Sequence, residues 1–217
     1  MQIHADLTKR ATVDSNSLDW VPSPMAGVER RMLERDGAEV ARATSLVRYA
    51  PGSAFSAHTH ALGEEFLVLD GVFSDETGDF AEGMYVRNPP GSRHVPSSAP
   101  GATILVKLRQ MDPEDGAFVR IDTHDETAWQ PGRRGERLLP LFSNTHEEVV
   151  MLDWEKGAAF ETVSLPGGAE YFVLSGSFTD ENGTYGEGCW LRLPAGSTQT
   201  ITSKTDARVY RKTGHLA

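Results

Sequence analysis

A single cysteine, Cys189, stands in a chain of 217 residues. One thiol can form neither an intrachain disulfide nor a thiolate zinc cluster, so a disulfide scaffold and a Cys-rich zinc domain are both excluded. A reducing, cytoplasmic setting is the expectation. Positive charge is also scarce: 21 Lys and Arg stand against 31 Asp and Glu, giving a formal net charge of −10. A phosphate-binding surface needs clustered cations, so direct contact with nucleic acid is not expected. No apolar run approaches the ~20 residues of a membrane-spanning helix. The opening MQIHADLTKR lacks the apolar stretch of a signal peptide, so no membrane role is expected.

Sustained 3.6-residue apolar periodicity is missing as well. In its place are short apolar runs (SLVRYA, EEFLVL, ATILVKL, EEVVML, EYFVL, ARVYRK) punctuated by PG, DG, NG and GG. That alternation of short strands and tight turns predicts an all-β sandwich or barrel. RMLERDGAEVARATSL has helical propensity, but Asp36-Gly37 at its middle predicts a hairpin between two strands.

The chain repeats itself. A shift of 105 residues lays Gly71–His94 over Gly176–Gln199 without a gap, and 11 of the 24 positions are identical. Those are Gly71, Phe73, Asp75, Glu76, Gly78, Glu82, Gly83, Arg87, Pro89, Gly91 and Ser92. Upstream, Trp20-Val21-Pro22 matches Trp129-Gln130-Pro131. A tandem duplication follows, with its boundary in the polar turn Asp112–Gly116. The predicted domains are residues 1–112 and 113–217, each long enough for its own barrel.

The first half carries a recognisable spacing. Gly52 is followed after five residues by His58, then His60, Glu64 and Gly71; Gly83 is followed by Pro89, Gly91 and His94. This resembles the two signature motifs of the cupin superfamily, G-x5-H-x-H-x3-E-x6-G and G-x5-P-x-G-x2-H-x3-N, with Ser98 in place of the final Asn. The resemblance implies a tandem cupin, or bicupin: two jelly-roll (double-stranded β-helix) barrels. The spacing has its own physical logic. His58 and His60, two apart, project from one face of a strand. Ala61-Leu62-Gly63 can turn the chain so that Glu64 faces back toward them, and the Pro89-Pro90-Gly91 turn can deliver His94 from a later strand. Three imidazoles and a carboxylate suit zinc, iron, nickel or manganese better than calcium or magnesium. One divalent transition metal per chain is expected, with zinc first.

The repeat separates Glu64 from its neighbour. Glu65 recurs as Glu170, whereas Glu64 becomes Ala169, and His58, His60 and His94 become Val163, Leu165 and Gln199. A carboxylate kept where every histidine is lost belongs to scaffold or surface, so Glu64 is the expected ligand. The second half is then a degenerate barrel without metal ligands. Its centre is either plain core or a small apolar pocket anchored by Gln199. Cys189, which replaces Met84, is expected at a buried strand position. His4, His124, His146 and His215, and the runs Arg133-Arg134 and Glu147-Glu148, are expected at the surface.

The stretch TSLVRYAPGSAFSAHTHALGEEFLVLDGVFSDETGDFAEGMYVRNPPGSRH, with the preceding W-x-P and GVERRML, is similar to the ChrR cupin-like family. That resemblance implies a zinc-binding module of anti-sigma factors that respond to oxidative stress, with His58, His60, Glu64 and His94 as ligands. No H-x3-C-x2-C pattern of the family's sigma-binding helical domain occurs, and about 19 residues precede Trp20. The expectation is therefore a sensory or regulatory metal cupin whose partner is a sigma factor or other regulator, without that helical domain. The alternative, drawn from relatives in the same neighbourhood, is a non-haem metal-dependent dioxygenase cleaving a small β-diketone or hydroxyaryl ketone. No catalytic acid or base is identifiable beyond the ligands, and assembly into a homo-oligomer is left open.

Overall fold

The computed structural model describes residues 1–216, and these are built almost wholly of antiparallel strands. The helical content among the described residues is two single 3-10 turns, Ser15–Ser17 and Glu126–Ala128, and no helix is long and apolar enough to cross a membrane. The chain divides into two compact units. One comprises Met1–Ala5 with Leu18–His124; the other comprises Asp6–Ser17 with the chain from Asp125 onward.

In the first unit the main sheet runs Gln2–Ile3, Val28–Gly37, Ala41–Tyr49, Ala102–Leu108, Glu64–Asp75, Met84–Asn88, Val119–Asp122. The hairpin expected at Asp36-Gly37 is there, with Gly37 opposite Ala41. Facing this sheet are short strand pairs, His58–His60 with Ser92–His94 and Ser53–Ala54 with Ser97–Ser98. Between them Val28, Val47, Phe66, Val68, Phe73, Phe80, Val86 and Ile104 form the core. Glu64, Phe66 and Val68 lie two apart on one strand, so the alternation that buries the two apolar side chains also turns Glu64 inward.

The second unit repeats the plan. Its main sheet runs Gln130–Pro131, Glu136–Ser143, Glu148–Trp154, Ala207–Thr213, Ala169–Ser175, Cys189–Leu193, Ala11–Asp14, and four further strands form its smaller sheet. Its core is richer in aromatics, with Trp154, Phe160, Tyr171, Phe178 and Tyr185 in mutual ring contact.

The units depart from a linear division at residue 112 because each repeat lends its leading strand to the other. Ala11–Asp14 pairs with Cys189–Leu193, and Val119–Asp122 pairs with Met84–Asn88. Both exchanged strands are clasped alike: Ser15 Oγ donates to the Gly188 carbonyl at 2.7 Å, and Thr123 Oγ1 to the Gly83 carbonyl at 2.7 Å. Gly83 and Gly188 are repeat equivalents, so the duplication extends into these strands.

Several residues expected at the surface, or as either scaffold or surface, are buried. Glu65 (2% exposed) accepts from Tyr85 Oη at 2.8 Å and Arg87 Nη1 at 2.9 Å, and Glu170 (1%) lies 3.4 Å from His215 Nε2. Both glutamates are scaffold, not surface. The His215 side chain is itself 2% exposed, and Glu147 pairs with the buried Lys212 at 2.7 Å. Partners so distant in sequence leave no mark in the local composition. Cys189 is half-buried at the start of its strand, and burial pushes its thiol up.

The recurring Gly71 and Gly176 have a steric cause. Both adopt positive φ (+74° and +72°), and a Cβ there would strike the backbone carbonyl of Gly101 or of Asp206. Gly71→Ala is expected to lower unfolding free energy by about 2 kcal/mol or more, read from the denaturant midpoint. An unchanged midpoint would contradict this account of the bend.

Candidate metal centre

Two short strands and the start of a third bring the four predicted residues together. His58 and His60 flank Thr59, and their strand pairs with Ser92–His94 so that His94 lies directly opposite His58. The three imidazoles stand in a near-regular triangle, with ring centroids 4.7, 4.8 and 4.8 Å apart and ligand nitrogens all within 4.8 Å. His60 Nε2 and His94 Nε2 are 2.9 Å apart. Gly63, at φ +75°, turns the chain so that Glu64 Oε2 comes within 3.4 Å of His60 Nε2 and 3.6 Å of His94 Nε2.

The surroundings fix which ring nitrogen carries a proton. His58 Nδ1 lies 3.2 Å from the Ser56 carbonyl and His94 Nδ1 lies 3.3 Å from Asp75 Oδ2. Each acceptor draws the N–H to Nδ1 and leaves the Nε2 lone pair available. Asp75 is held in turn, because its Oδ1 accepts from the Thr77 amide at 2.7 Å and the Thr77 hydroxyl at 2.5 Å. Glu64 Oε2 accepts from Asn88 Nδ2 at 3.2 Å, and Asn88 Oδ1 accepts from Arg120 Nη2 at 2.7 Å.

Burial pushes His60 down to about 4, with repulsion from His58 adding to it. His94 is also pushed down, by burial first, against the pull of Glu64. Burial pushes the Glu64 carboxyl up, opposed by His94, the Asn88 N–H and His58. His60 and His94 are therefore held neutral, with imidazole lone pairs converging beside a buried carboxylate. Such a group of acceptors is unfavourable by itself and is relieved by a cation at its centre. With three nitrogens and one oxygen, the set fits a borderline divalent ion.

The sequence did not single out Asp75, Asn88 or Arg120 as parts of this centre. Asp75 carried a signal, since it recurs as Asp180, which faces the His94 equivalent in the same way: Gln199 Nε2 donates to Asp180 Oδ2 at 2.9 Å. Arg120 carried none, because it arrives on the exchanged strand. Ser98, at the departure from the cupin motif, is fully buried and donates to the Val72 carbonyl at 2.6 Å. In the second barrel Leu165 and Ala169 are core, with Val163 packed against them. Gln199 shares Asp180 with Arg10, whose Nη2 lies 2.6 Å from the carboxylate. A guanidinium thus answers the carboxylate in the barrel that lacks the three histidines. Among the described residues, the His58, His60 and His94 group is the one cluster of three such side chains close enough to hold a metal.

Two tandem jelly-roll barrels, one gathering an H-x-H pair and a third histidine at its centre, define a bicupin. The chain belongs to the ChrR cupin-like family, whose domain model matches residues 8–112 and again 117–217. The fold is shared with solved structures of low sequence identity. A candidate dioxygenase from Nostoc punctiforme aligns at TM-score 0.77 and 16% identity, over 95% of this chain and 82% of that one. YlbA from Escherichia coli aligns at 0.73 and 17%, over 98% and 94%. The bacterial pirin YhhW from Escherichia coli, in complex with nickel(II), aligns at 0.69 and 11%, over 94% and 98%. No curated protein matches the chain in sequence.

A His60 that stays neutral to about pH 4 when folded, but titrates near 6.5 when unfolded, leaves the folded state with fewer bound protons in that window. The metal-free chain should keep this stability above pH 6.5 and lose it as pH falls toward 4, by up to about 3 kcal/mol. Denaturant titrations of the stripped protein at pH 7, 5.5 and 4.5 check this. A His60→Gln variant showing the same pH slope would contradict it.

Proposed function

We propose that His58, His60, Glu64 and His94 bind one divalent transition metal per chain, zinc foremost. We further propose that this metal cupin has a sensory or regulatory role exerted on a protein partner, a sigma factor or other regulator of stress-responsive transcription. The observation that carries the reading is the assignment of polar groups at the centre. The three histidines and Glu64 point inward, while Asp75, Asn88 and the Ser56 carbonyl brace them from behind. Each of these groups is thereby engaged in holding the centre itself. Family membership supports the same reading. Residues 1–112 are the metal-bearing repeat and 113–217 the degenerate one.

Metal analysis of protein purified without added metal should give one equivalent per chain. His58→Ala should abolish it, and saturating zinc should raise the unfolding free energy by about 3 kcal/mol at a hundredfold excess over Kd. Glu64→Gln should weaken binding, whereas Glu65→Gln should keep the metal and cost about 3 kcal/mol of fold stability, since it strips a buried partner from Arg87. Two equivalents of comparable affinity, or metal lost with Glu65→Gln but not with Glu64→Gln, would overturn the assignment.

A specific observation favours a second reading, a metal-dependent dioxygenase acting on a small β-diketone or hydroxyaryl ketone. Tyr49, Phe55 and Phe73 form an aromatic wall with centroids 5.3–5.4 Å apart, and Phe73 lies 6.0 Å from the His94 ring. Four protein donors on a six-coordinate metal leave two positions open. Oxygen uptake by zinc-, iron-, nickel- and manganese-loaded protein with a panel of such ketones separates the two. The regulatory reading predicts no substrate-dependent uptake. Uptake that disappears in His58→Ala establishes the enzyme instead.

A further inference from the structure

The exchanged strand Val119–Asp122 brings Arg120 behind the metal centre. Its guanidinium is half-buried over the Phe80 ring, 5.1 Å from the centroid. It donates through Nη1 to the carbonyls of Arg87 (2.9 Å) and Val119 (2.8 Å), and through Nη2 to Asn88 Oδ1 (2.7 Å). An arginine only donates and a carboxylate only accepts. Asn88, buried between the two, has a single orientation that satisfies both, with Oδ1 toward Arg120 and Nδ2 toward Glu64 at 3.2 Å.

The second repeat serves as an internal control. Glu64 lies directly opposite Asn88 across the sheet, and the same register places Ala169 opposite Leu193. Arg120 lies opposite Val86, and the equivalent of Val86, Leu191, lies opposite Thr12. Glu64, Asn88 and Arg120 have thus become Ala169, Leu193 and Thr12 together, in the barrel that has also lost the three histidines. The residues that serve the fold behave otherwise: Glu65, Gly83 and Arg87 persist as Glu170, Gly188 and Arg192. A residue kept only beside the histidines belongs to the site.

We propose that Arg120, acting through Asn88, is a positioning residue for Glu64, so that the metal centre of the first repeat is completed by the leading strand of the second. The relay rests on the metal centre proposed above. A positioning role and a purely Coulombic one predict opposite signs. Removing a nearby cation should tighten binding of a divalent ion, whereas releasing Asn88 and Glu64 should loosen it.

The test measures zinc affinity by chelator competition in the full chain. Arg120→Met and Asn88→Leu should each weaken zinc binding by about 10–100-fold, and Arg120→Lys, which keeps a donor for Asn88, should recover most of that loss. In a Glu64→Ala background, where three imidazoles remain, Arg120→Met should add no further loss, because the effect runs through Glu64. Unchanged or tighter binding in Arg120→Met overturns the relay, as does an equal loss with and without Glu64. Should Arg120→Met not fold, Asn88→Leu and Arg120→Lys carry the same comparison. A wild-type chain that binds no zinc removes the centre and the relay together. A chain that binds zinc, loses it in His58→Ala and is indifferent to Arg120→Met overturns the relay alone.

Discussion

The bend at Gly71 is the constraint on which the centre depends. It lets one strand, Glu64–Asp75, work in both layers of the barrel: its first part pairs with Met84–Asn88 and Ala102–Leu108, and its last part with Gly78–Ala81 and Ser97. One end thereby supplies Glu64 to the histidine cluster and the other supplies Asp75 to His94. Between them Phe66, Val68 and Phe73 fill the core. A skipped residue in the pairing, between Val68 and Asp70, accompanies the bend, and the second repeat has the same irregularity between Val173 and Ser175.

The two barrels show how one scaffold can keep or lose a histidine cluster. In both, a carboxylate braced by a turn faces inward, Asp75 in one and Asp180 in the other. In the first it orients a neutral imidazole. In the second it is neutralised by Arg10 and hydrogen-bonded by Gln199, and Arg10 with Gln199 holds Asp180 down despite its burial. A buried acid needs a partner in either case. The duplication has solved that requirement with a brace for His94 on one side and a protein cation on the other.

The all-β fold, the duplication, the hairpin at Asp36-Gly37 and the meeting of His58, His60, Glu64 and His94 were legible in the sequence. Tight-turn residues, two-residue alternation and a 105-residue self-match are local signals. What was not legible is long-range pairing. The exchange of Ala11–Asp14 and Val119–Asp122 leaves no composition signal, so Arg120 was invisible as part of the centre. Glu147 and His215 sit in polar sequence yet meet Lys212 and Glu170 in the interior. Glu65 was distinguished from Glu64 by the repeat, but its burial between Tyr85 and Arg87 was not.

The most direct test of a single metal centre in the first barrel is anomalous diffraction at the metal edge from crystals of the zinc-loaded chain. The account predicts one strong peak per chain, within bonding distance of His58, His60, Glu64 and His94. A peak among Val163, Leu165, Ala169 and Gln199, or a metal bound away from those four donors, would contradict it.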